Sequence, residues 1–241
     1  MKSLIVSLLA ATALVTAAAA ATPKNALGAV AVSPDGATVI AAGDNRVLYV
    51  VDPATLEVKQ RVLIGVNPQE AMFSKDGSTL AVWDTDGRIS FLSASDWSVK
   101  ATFEDAEAIA FAPAGDVVIA MGRGGYGDNA TTPVSIISLA DGAKKSEASF
   151  AGSGKSIVAA PDGSSFAVLS ERKESAAETK TDAPADLKDL AKAEFEQKND
   201  GFVSEVIRLD ASGKETGRAE TWFTTYEQMS GVVLDGAAYF A

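Results

Sequence analysis

The sequence predicts an all-β fold, a β-propeller of four-stranded antiparallel blades, and three observations lead to this prediction. First, a turn motif recurs between short apolar runs, at 33–36, 74–77, 112–115 and 160–163. Second, its copies follow one another at intervals of roughly 40 residues, which is the length of one blade. Third, the second half of the unit keeps its register, because Ser93 follows Ser74 at the same interval at which Asp52 follows Ser33.

Each unit is predicted to contain four short strands, numbered from the centre of the ring outward. β-Branched and apolar runs bounded by Gly, Pro and Asp are typical of strands and hairpins. Within a propeller domain at 21–241, blade 1 is expected at 28–65, blade 2 at 66–104, blade 3 at 105–152 and blade 4 at 153–222. The start of a fifth blade at 223–241 brings the prediction to about four and a half blades.

The strands are predicted in order along these blades. In blade 1 they are 29–33, 37–42, 46–51 and 56–63, and in blade 2 they are 70–73, 78–83, 88–92 and 97–103. In blade 3 they are 106–111, 116–121, 134–138 and 145–150, and in blade 4 they are 156–159, 164–169, 203–209 and 215–221. The fifth blade begins with a strand at 229–234 and reaches its second strand at 241.

Two stretches of blade 1, VAVSPDGATV at 30–39 and LYVVDPATLEV at 48–58, resemble the YVTN-type β-propeller repeat. In that family an Asp-Gly turn joins the two inner strands, and a strand ending in Asp is followed by a turn of small residues. The likeness covers 28–104 well and 105–222 loosely. It implies a propeller fold, in a superfamily that includes lactonase-like enzymes and subunits of amine-dehydrogenase-like redox enzymes.

A WD repeat fits the sequence less well. The pair Trp83 and Asp84 offers the dipeptide, but it ends the second strand of its unit, and the chain has no histidine to join the hydrogen-bond network of that repeat. We therefore interpret Trp83 as an aromatic residue that packs between blades. The recurring Asp35, Asp76 and Asp162 are interpreted as turn formers rather than catalytic acids, because their carboxylates can bond nearby backbone N–H groups.

The first 20 residues have the pattern of a secretory signal peptide. Lys2 precedes an apolar stretch at 4–15, and alanines at 18–20 form a small-residue cleavage site. The pattern predicts a periplasmic or secreted protein with no membrane insertion after cleavage. The chain contains no cysteine, so a lipid on an N-terminal cysteine is excluded.

Composition excludes several classes of function. The chain has 32 Asp and Glu residues against 21 Lys and Arg, and this acidic balance disfavours nucleic acid as a partner. The absence of both His and Cys removes disulfides, thiolate catalysis, the commonest general base and the commonest metal ligands. We therefore predict no catalytic residue, no metal site and no cofactor.

Two connections, 122–133 and 170–202, are much longer than the other turns, and both join the second strand of a blade to its third. Because strands alternate in direction, both insertions are expected on one face, opposite the Pro-Asp-Gly turns. Long loops on a rigid scaffold commonly carry binding sites.

The first insertion is rich in glycine. It matches G-x-G-x-x-G, but no βαβ unit surrounds it, so a dinucleotide site is excluded. Its candidate contact residues are Arg123, Tyr126, Asp128 and Asn129, the last two of which could also offer oxygens to calcium. A solvated loop without a binding role is the alternative.

The second insertion predicts a helix at about 182–198, with Pro184 in its first turn. Leu187, Leu190, Ala191 and Phe195 form an apolar stripe that either packs on the propeller rim or docks to a partner protein. Three of them, Leu187, Leu190 and Phe195, are candidate contact residues. Other polar residues expected around the channel mouth on this face are Asn67, Glu70, Asp105, Glu107 and Lys155, whose acidic members would favour a cationic ligand.

These observations favour a non-enzymatic exported propeller that binds an envelope protein partner or a small ligand through the face with the insertions. The alternatives are an enzyme or redox-enzyme subunit of the kinds that the resemblance implies, and a purely structural scaffold. Four blades and two strands also suggest an N-terminal fragment of a propeller of roughly six to eight blades. A small ring, in which 22–28 add a strand to the fifth blade, is the alternative to that fragment.

Overall fold

A computed structural model describes residues 27–125, 129–173, 181–221, 231–234 and 237–240. The predicted signal peptide at 1–20 lies outside these ranges. No helix within them is long and apolar enough to cross a membrane. The prediction of an all-β fold is confirmed, since four-stranded antiparallel sheets make up most of the described chain.

Four sheets follow one another along the chain, and each contains four strands in sequence order. Blade 1 consists of β1 (Leu27–Val32), β2 (Val39–Gly43), β3 (Val47–Val51) and β4 (Val58–Leu63). Blade 2 consists of β5 (Pro68–Phe73), β6 (Thr79–Asp84), β7 (Ile89–Ser93) and β8 (Val99–Phe103). Blade 3 consists of β9 (Ala108–Ala112), β10 (Val117–Met121), β11 (Thr131–Ser138) and β12 (Lys144–Ala151). Blade 4 consists of β13 (Ser153–Ala159), β14 (Ser165–Lys173), β15 (Phe202–Asp210) and β16 (Glu215–Thr221).

The rest of the regular structure is short. Among the described residues a single α-helix, α1 (Asp189–Asn199), precedes β15, and a two-stranded sheet is formed by β17 (Gly231–Leu234) and β18 (Ala237–Phe240). Strand β17 lies beside β13, so this sheet follows blade 4 as the start of a fifth blade. Of the residues 22–28 that the small-ring alternative assigns to the fifth blade, Leu27 and Gly28 belong to β1, and 22–26 lie outside the described residues.

The blades stack because each middle blade is apolar on both faces. In β6, Leu80 and Val82 pack in the cluster shared with blade 1, whereas Ala81 and Trp83 pack in the cluster shared with blade 3. Side chains alternate along a strand, so such a sheet needs a neighbour on each side. The interpretation of Trp83 as a packing aromatic is therefore confirmed.

Three apolar clusters join the four blades. Fully buried members are Ile40, Leu48, Leu80 and Leu92 between blades 1 and 2, Ile89, Phe91, Ile137 and Leu139 between blades 2 and 3, and Ile119, Met121 and Phe166 between blades 3 and 4. Burying each such side chain stabilises the fold by about 2 kcal/mol. These clusters are the main source of cohesion between successive blades.

The hairpins that join the first two strands of each blade lie on one face, which we call the turn face (33–38, 74–78, 113–116 and 160–164). These hairpins touch their neighbours in the next blade. The N–H of Lys75 donates to Asp116 Oδ1 at 2.8 Å, and the N–H of Ala114 donates to the carbonyl of Pro161 at 2.9 Å. The turn face is therefore tied together by hydrogen bonds between blades.

The recurring aspartates of the turn face are turn formers, as predicted. Asp76 Oδ1 accepts hydrogen bonds from Ser74 Oγ at 2.7 Å and from the Ser78 N–H at 3.0 Å, and Asp35 and Asp162 accept similar local bonds. The third copy of the motif differs, because 113–115 form a 3₁₀ turn that ends in a left-handed Asp116 with φ of 55°.

Several predicted boundaries were wrong. Strand β11 begins at Thr131 and not at 134, because it pairs with a longer β12, so the first insertion is 122–130. The ladder between β14 and β15 continues to the pair Lys173 and Phe202, which shortens the second insertion to 174–201.

The helix of the second insertion was predicted seven residues too early, at 182 instead of Asp189. Pro184 lies in a separate turn, in which the N–H of Leu187 donates to the Pro184 carbonyl at 3.0 Å. Asp189, the first residue of α1, has a positive φ of 50°, so the helical geometry does not extend backwards through it to Leu187. Leu187 therefore precedes the helix and is not part of an apolar helical stripe.

One face of blade 1 has no neighbour in the described structure. Val30 and Val32 of β1 are 59% and 56% exposed, and Leu63 of β4 is 76% exposed. Their cross-strand partners on the same face are the half-buried Ala41, Val39 and Val47. In blades 2 and 3 the corresponding face is covered by the preceding blade. Blade 1 has no such neighbour among the described residues.

Candidate functional site

The loops opposite the turn face form a second surface, which we call the insertion face. It comprises the connections between the second and third strands of each blade and the connections between blades. Backbone hydrogen bonds join the loops of blades 2 and 3 on this face: the N–H of Ala106 donates to Gly87 O at 2.7 Å, and the N–H of Glu107 donates to Met121 O at 2.8 Å. Loops from blade 2 and blade 3 are therefore held side by side on this face.

Both insertions start on the insertion face at neighbouring positions. Gly124, in the first insertion, packs so closely on blade 4 that an added Cβ would lie 3.2 Å from Ser153 Cα. Ser153 is paired with Glu171, near the end of β14, where the second insertion begins. The expectation that the two insertions rise next to each other from one face agrees with this packing.

A pocket of about 390 Å³ opens between blades 2 and 3 on the insertion face. The β6–β7 loop contributes residues 85–87, and the link between β8 and β9 contributes residues 105–107. Trp83 and Arg123 complete the lining. We call this site the interblade pocket.

The walls of the interblade pocket are held by specific backbone geometry. Trp83 Nε1 donates to Ala106 O at 2.9 Å, which fixes the indole ring against the link between blades. Gly87 has a φ of 79°, and an added Cβ would lie 3.1 Å from Ala106 O, so glycine suits this close approach. Asp105 also adopts a positive φ, of 66°. The pocket is therefore preformed rather than lined by loosely connected loops.

The electrostatic character of the interblade pocket is acidic. Arg123 Nε lies 2.6 Å from Glu107 Oε1, so one carboxylate of the rim is paired. In the part of the chain that the structure describes, the side chains of Asp86 and Asp105 have neither a hydrogen bond nor an ion pair. Three carboxylates against one guanidinium leave a negative potential that favours cationic groups.

A further acidic residue lies on the innermost strand of blade 2. Glu70 has an exposed side chain, yet the surrounding protein desolvates its carboxyl group enough to raise its pKa. It does not line the interblade pocket. Of the acidic residues expected at a channel mouth, Asp105 and Glu107 lie together in the pocket instead.

The structure places the predicted contact residues in different environments. Arg123 lines the interblade pocket, and Asn129 is exposed in the same insertion. Tyr126 and Asp128 lie outside the described residues. These placements do not by themselves assign a binding role to Asn129.

The helical insertion lies against its own blade. Helix α1 contacts β15, and its Phe195 side chain is half-buried, whereas Ala191 is exposed. The side chain of Leu190 is outside the described part of the structure. Because only two residues separate α1 from β15, this contact does not distinguish packing on the propeller from docking to a partner, and both stay predictions.

Sequence reasoning missed four residues that line the interblade pocket, namely Trp83, Thr85, Asp86 and Gly87. A signal was present, since Trp83 is followed by the polar turn Asp-Thr-Asp-Gly-Arg at 84–88. No role was assigned to that turn from the sequence. Its pairing with the link at 105–107 depends on the packing of blade 3 on blade 2, which no local pattern encodes.

A second pocket, of about 300 Å³, lies on the turn face between blades 1 and 2. Its carboxylates, Asp35 and Asp76, are occupied by the turn hydrogen bonds described above. These bonds hold the pKa of Asp76 down at about 2, with the Ser74 hydroxyl as the largest cause. The two pockets therefore differ, because only the interblade pocket offers carboxylates without a partner among the described residues.

Comparison with solved structures shows the propeller fold. The structure is similar to Kuenenia stuttgartiensis hydrazine synthase, with a TM-score of 0.57 and 17% identity over 85% of this chain and 57% of that chain. It is also similar to the Neurospora crassa Pan2 WD40 domain, with a TM-score of 0.54 and 11% identity over 84% of this chain and 55% of that chain. The chain thus spans little more than half the length of either protein.

No protein-family model matches the sequence, and no curated protein is significantly similar to it. At these low sequence identities the structural matches show a shared fold and nothing further. The protein is a β-propeller of about four blades, and its resemblance to the YVTN-type repeat stays an interpretation of the sequence.

Proposed function

We propose that this protein is a non-enzymatic, exported propeller of the YVTN type that binds an envelope protein partner through its insertion face. The observation that carries the proposal is the interblade pocket. It combines a preformed wall, carboxylates without a partner among the described residues, and a position beside the first insertion. A periplasmic or secreted location is the part of this proposal that depends on the signal-peptide pattern.

Two features support binding rather than catalysis. The chain lacks His and Cys, so the commonest general base and the thiolate nucleophile are missing from every loop. The turn-face aspartates are engaged in turn hydrogen bonds, as described above. The only support for the alternative of a propeller enzyme is the fold itself, which the chain shares with hydrazine synthase.

Site-specific photocrosslinking tests the proposal directly. Because the chain has no cysteine, Thr85→Cys and Thr55→Cys each create a single attachment point for a benzophenone maleimide. Both residues are exposed; Thr85 lies at the interblade pocket, whereas Thr55 lies in the β3–β4 turn on the opposite face. The labelled proteins are irradiated with the envelope fraction of the source cell.

We expect a discrete covalent adduct from the Thr85 variant and none of the same mass from the Thr55 variant. Equal adducts from both sites, or an adduct from Thr55 alone, would contradict binding through the insertion face. A further variant, in which a Gly-Ser linker replaces 189–199, tests whether α1 takes part. An unchanged adduct in that variant would restrict the contact to the interblade pocket and its neighbouring loops.

A further inference from the structure

The interblade pocket already contains a cationic side chain from the protein itself. Arg123 reaches Glu107 from the first insertion and lines the pocket together with Trp83 and the loops at 85–87 and 105–107. A guanidinium group is therefore chemically compatible with this site. Asp86 and Asp105 add two carboxylates beyond the one that Arg123 contacts.

The ion pair between Arg123 and Glu107 is open to exchange. The two side chains are 76% and 46% exposed, and ion pairs between exposed side chains contribute little to stability. The backbone on either side of Arg123 is held in place, because the N–H groups of Gly122 and Gly125 donate to the carbonyls of Pro133 and Thr131, so only the Arg123 side chain has to move. Exchanging this ion pair for one with an incoming cation would therefore cost little, whereas the walls held by Trp83 and Ala106 would stay in place.

A guanidinium group suits the pocket better than an ammonium group. It is planar, can bind two carboxylates in a fixed geometry, and is less strongly hydrated than the lysine ammonium. It also stacks favourably on an indole ring, and Trp83 supplies one in the wall. A free amino acid fits less well, because its α-carboxylate would be repelled by the acidic rim.

We infer that the interblade pocket receives the guanidinium group of an arginine side chain from a protein partner, which takes the place of Arg123. The inference rests on the proposed function, since it names the chemistry by which the insertion face recognises its partner. Glu107, Asp86 and Asp105 bind the incoming cation, and Trp83 forms one wall.

The test uses the full chain labelled with ¹⁵N and follows the indole N–H resonance of Trp83, assigned with the Trp83→Phe variant. The probes are N-acetyl-arginine N-methylamide, the capped lysine and citrulline analogues, and free arginine. We expect the capped arginine to bind with a dissociation constant on the order of 1 mM, as a few exposed charge-assisted hydrogen bonds allow. Capped lysine and free arginine should bind more weakly, and the neutral citrulline analogue should not bind.

Variants separate this inference from a general attraction of cations to an acidic protein. Asp86→Asn with Asp105→Asn should weaken binding of the capped arginine about tenfold, as expected for the loss of two charged partners. Glu57→Gln with Glu147→Gln removes the same charge away from the pocket and should leave the affinity unchanged. Arg123→Ala should bind the probe about threefold tighter, because the competing exposed ion pair is gone.

Several results would overturn the inference. They are equal binding of citrulline, tighter binding of lysine, an equal loss in the two double variants, or unchanged or weaker binding by Arg123→Ala. Tighter binding of free arginine than of its capped form would point to a small-molecule ligand and contradict a protein-borne side chain. A failed titration with a persisting Thr85 adduct would overturn only this inference, whereas a successful titration without an adduct would contradict the protein partner.

Discussion

At the scale of single residues, the hairpins of the turn face depend on hydroxyl and carboxylate groups that replace missing backbone partners. Ser74 is fully buried, and its Oγ donates to Asp76 Oδ1 at 2.7 Å and accepts from the Thr79 N–H at 3.0 Å. Ser33 makes the same two bonds in blade 1, with Asp35 and Thr38, but is only half-buried.

We predict that Ser74→Ala lowers the free energy of unfolding by about 1.5 kcal/mol and Ser33→Ala by about 0.5 kcal/mol, because an unsatisfied group costs more when buried. Urea denaturation of both variants measures the difference. A loss in Ser33→Ala equal to or larger than that in Ser74→Ala would contradict the role assigned to burial.

The carboxylate of Asp76 makes stability depend on pH. Its pKa is lowered from 3.8 to about 2 in the folded protein, so the folded state holds the charged form at a pH at which the unfolded chain takes up a proton. Stability from this group is therefore complete above about pH 4 and is lost as the pH falls towards 2. Asp76→Asn should be less stable than the unaltered protein at neutral pH, with a gap that narrows below pH 4.

Urea midpoints of the two proteins across this pH range provide the measurement. A gap that stays constant from neutral pH down to about pH 3 would contradict the assigned role of the charge. Asp35, Asp52, Asp96, Asp141, Asp162 and Asp210 share the lowered pKa, so acid should weaken the protein beyond the effect of Asp76 alone.

These local roles were predictable from the sequence, because an aspartate in a tight turn bonds to residues two positions away. The position of Asp86 in the same pocket as Asp105 was harder to foresee. Asp86 lies in a hairpin of blade 2, whereas Asp105 lies in the link between blade 2 and blade 3. Only the packing of the blades brings the two loops to one pocket.

At the scale of elements, the contacts between hairpins impose a size limit on Gly115. An added Cβ would lie 2.2 Å from the carbonyl oxygen of Asp162, in the hairpin of blade 4. Gly217, in the outer strand β16, offers a matched control, since no atom lies within 4 Å of its added Cβ.

We expect Gly115→Ala to lower the free energy of unfolding by about 2 kcal/mol or more, because the backbone of two hairpins must shift. Gly217→Ala should change it by less than about 0.5 kcal/mol. Thermal denaturation of both variants decides the matter. Similar melting temperatures for the two variants would show that the hairpins are not packed as closely as described.

The ends of strands and helices are the features that the sequence pattern predicted with uneven accuracy. The strands of blades 1 and 2 were predicted to within a few residues because turn signals bound them on both sides. The start of α1 was not, since apolar periodicity continued through Leu187 although Pro184 and a left-handed Asp189 prevent helical hydrogen bonding there. Strands β14 and β15 extend beyond the apolar residues from which they were predicted, because the two strands pair with each other as far as Lys173 and Phe202.

At the scale of the whole molecule, blade 1 stands apart because no residue that the structure describes covers its first face. Val30 and Val32 are exposed on adjacent positions of this face, whereas the exposed Val99 of β8 lies on another blade. Contiguous exposed apolar surface binds hydrophobic dyes more strongly than isolated residues do.

Replacing both residues, Val30→Thr with Val32→Thr, should lower the fluorescence of bound anilinonaphthalene sulfonate by about half, since threonine keeps the shape and removes apolar surface. Val99→Thr should leave the fluorescence unchanged. An equal decrease in the two variants, or no decrease in the double variant, would contradict an uncovered face on blade 1.

The most direct measurement of the central claim, binding through the insertion face, is hydrogen exchange on the protein with and without the partner isolated through the Thr85 adduct. We predict slower amide exchange in 85–87, 105–107 and 122–125 when the partner is bound, with exchange in the turn-face hairpins 33–38 and 74–78 unchanged. Slower exchange confined to those hairpins, with the interblade pocket unaffected, would contradict the account.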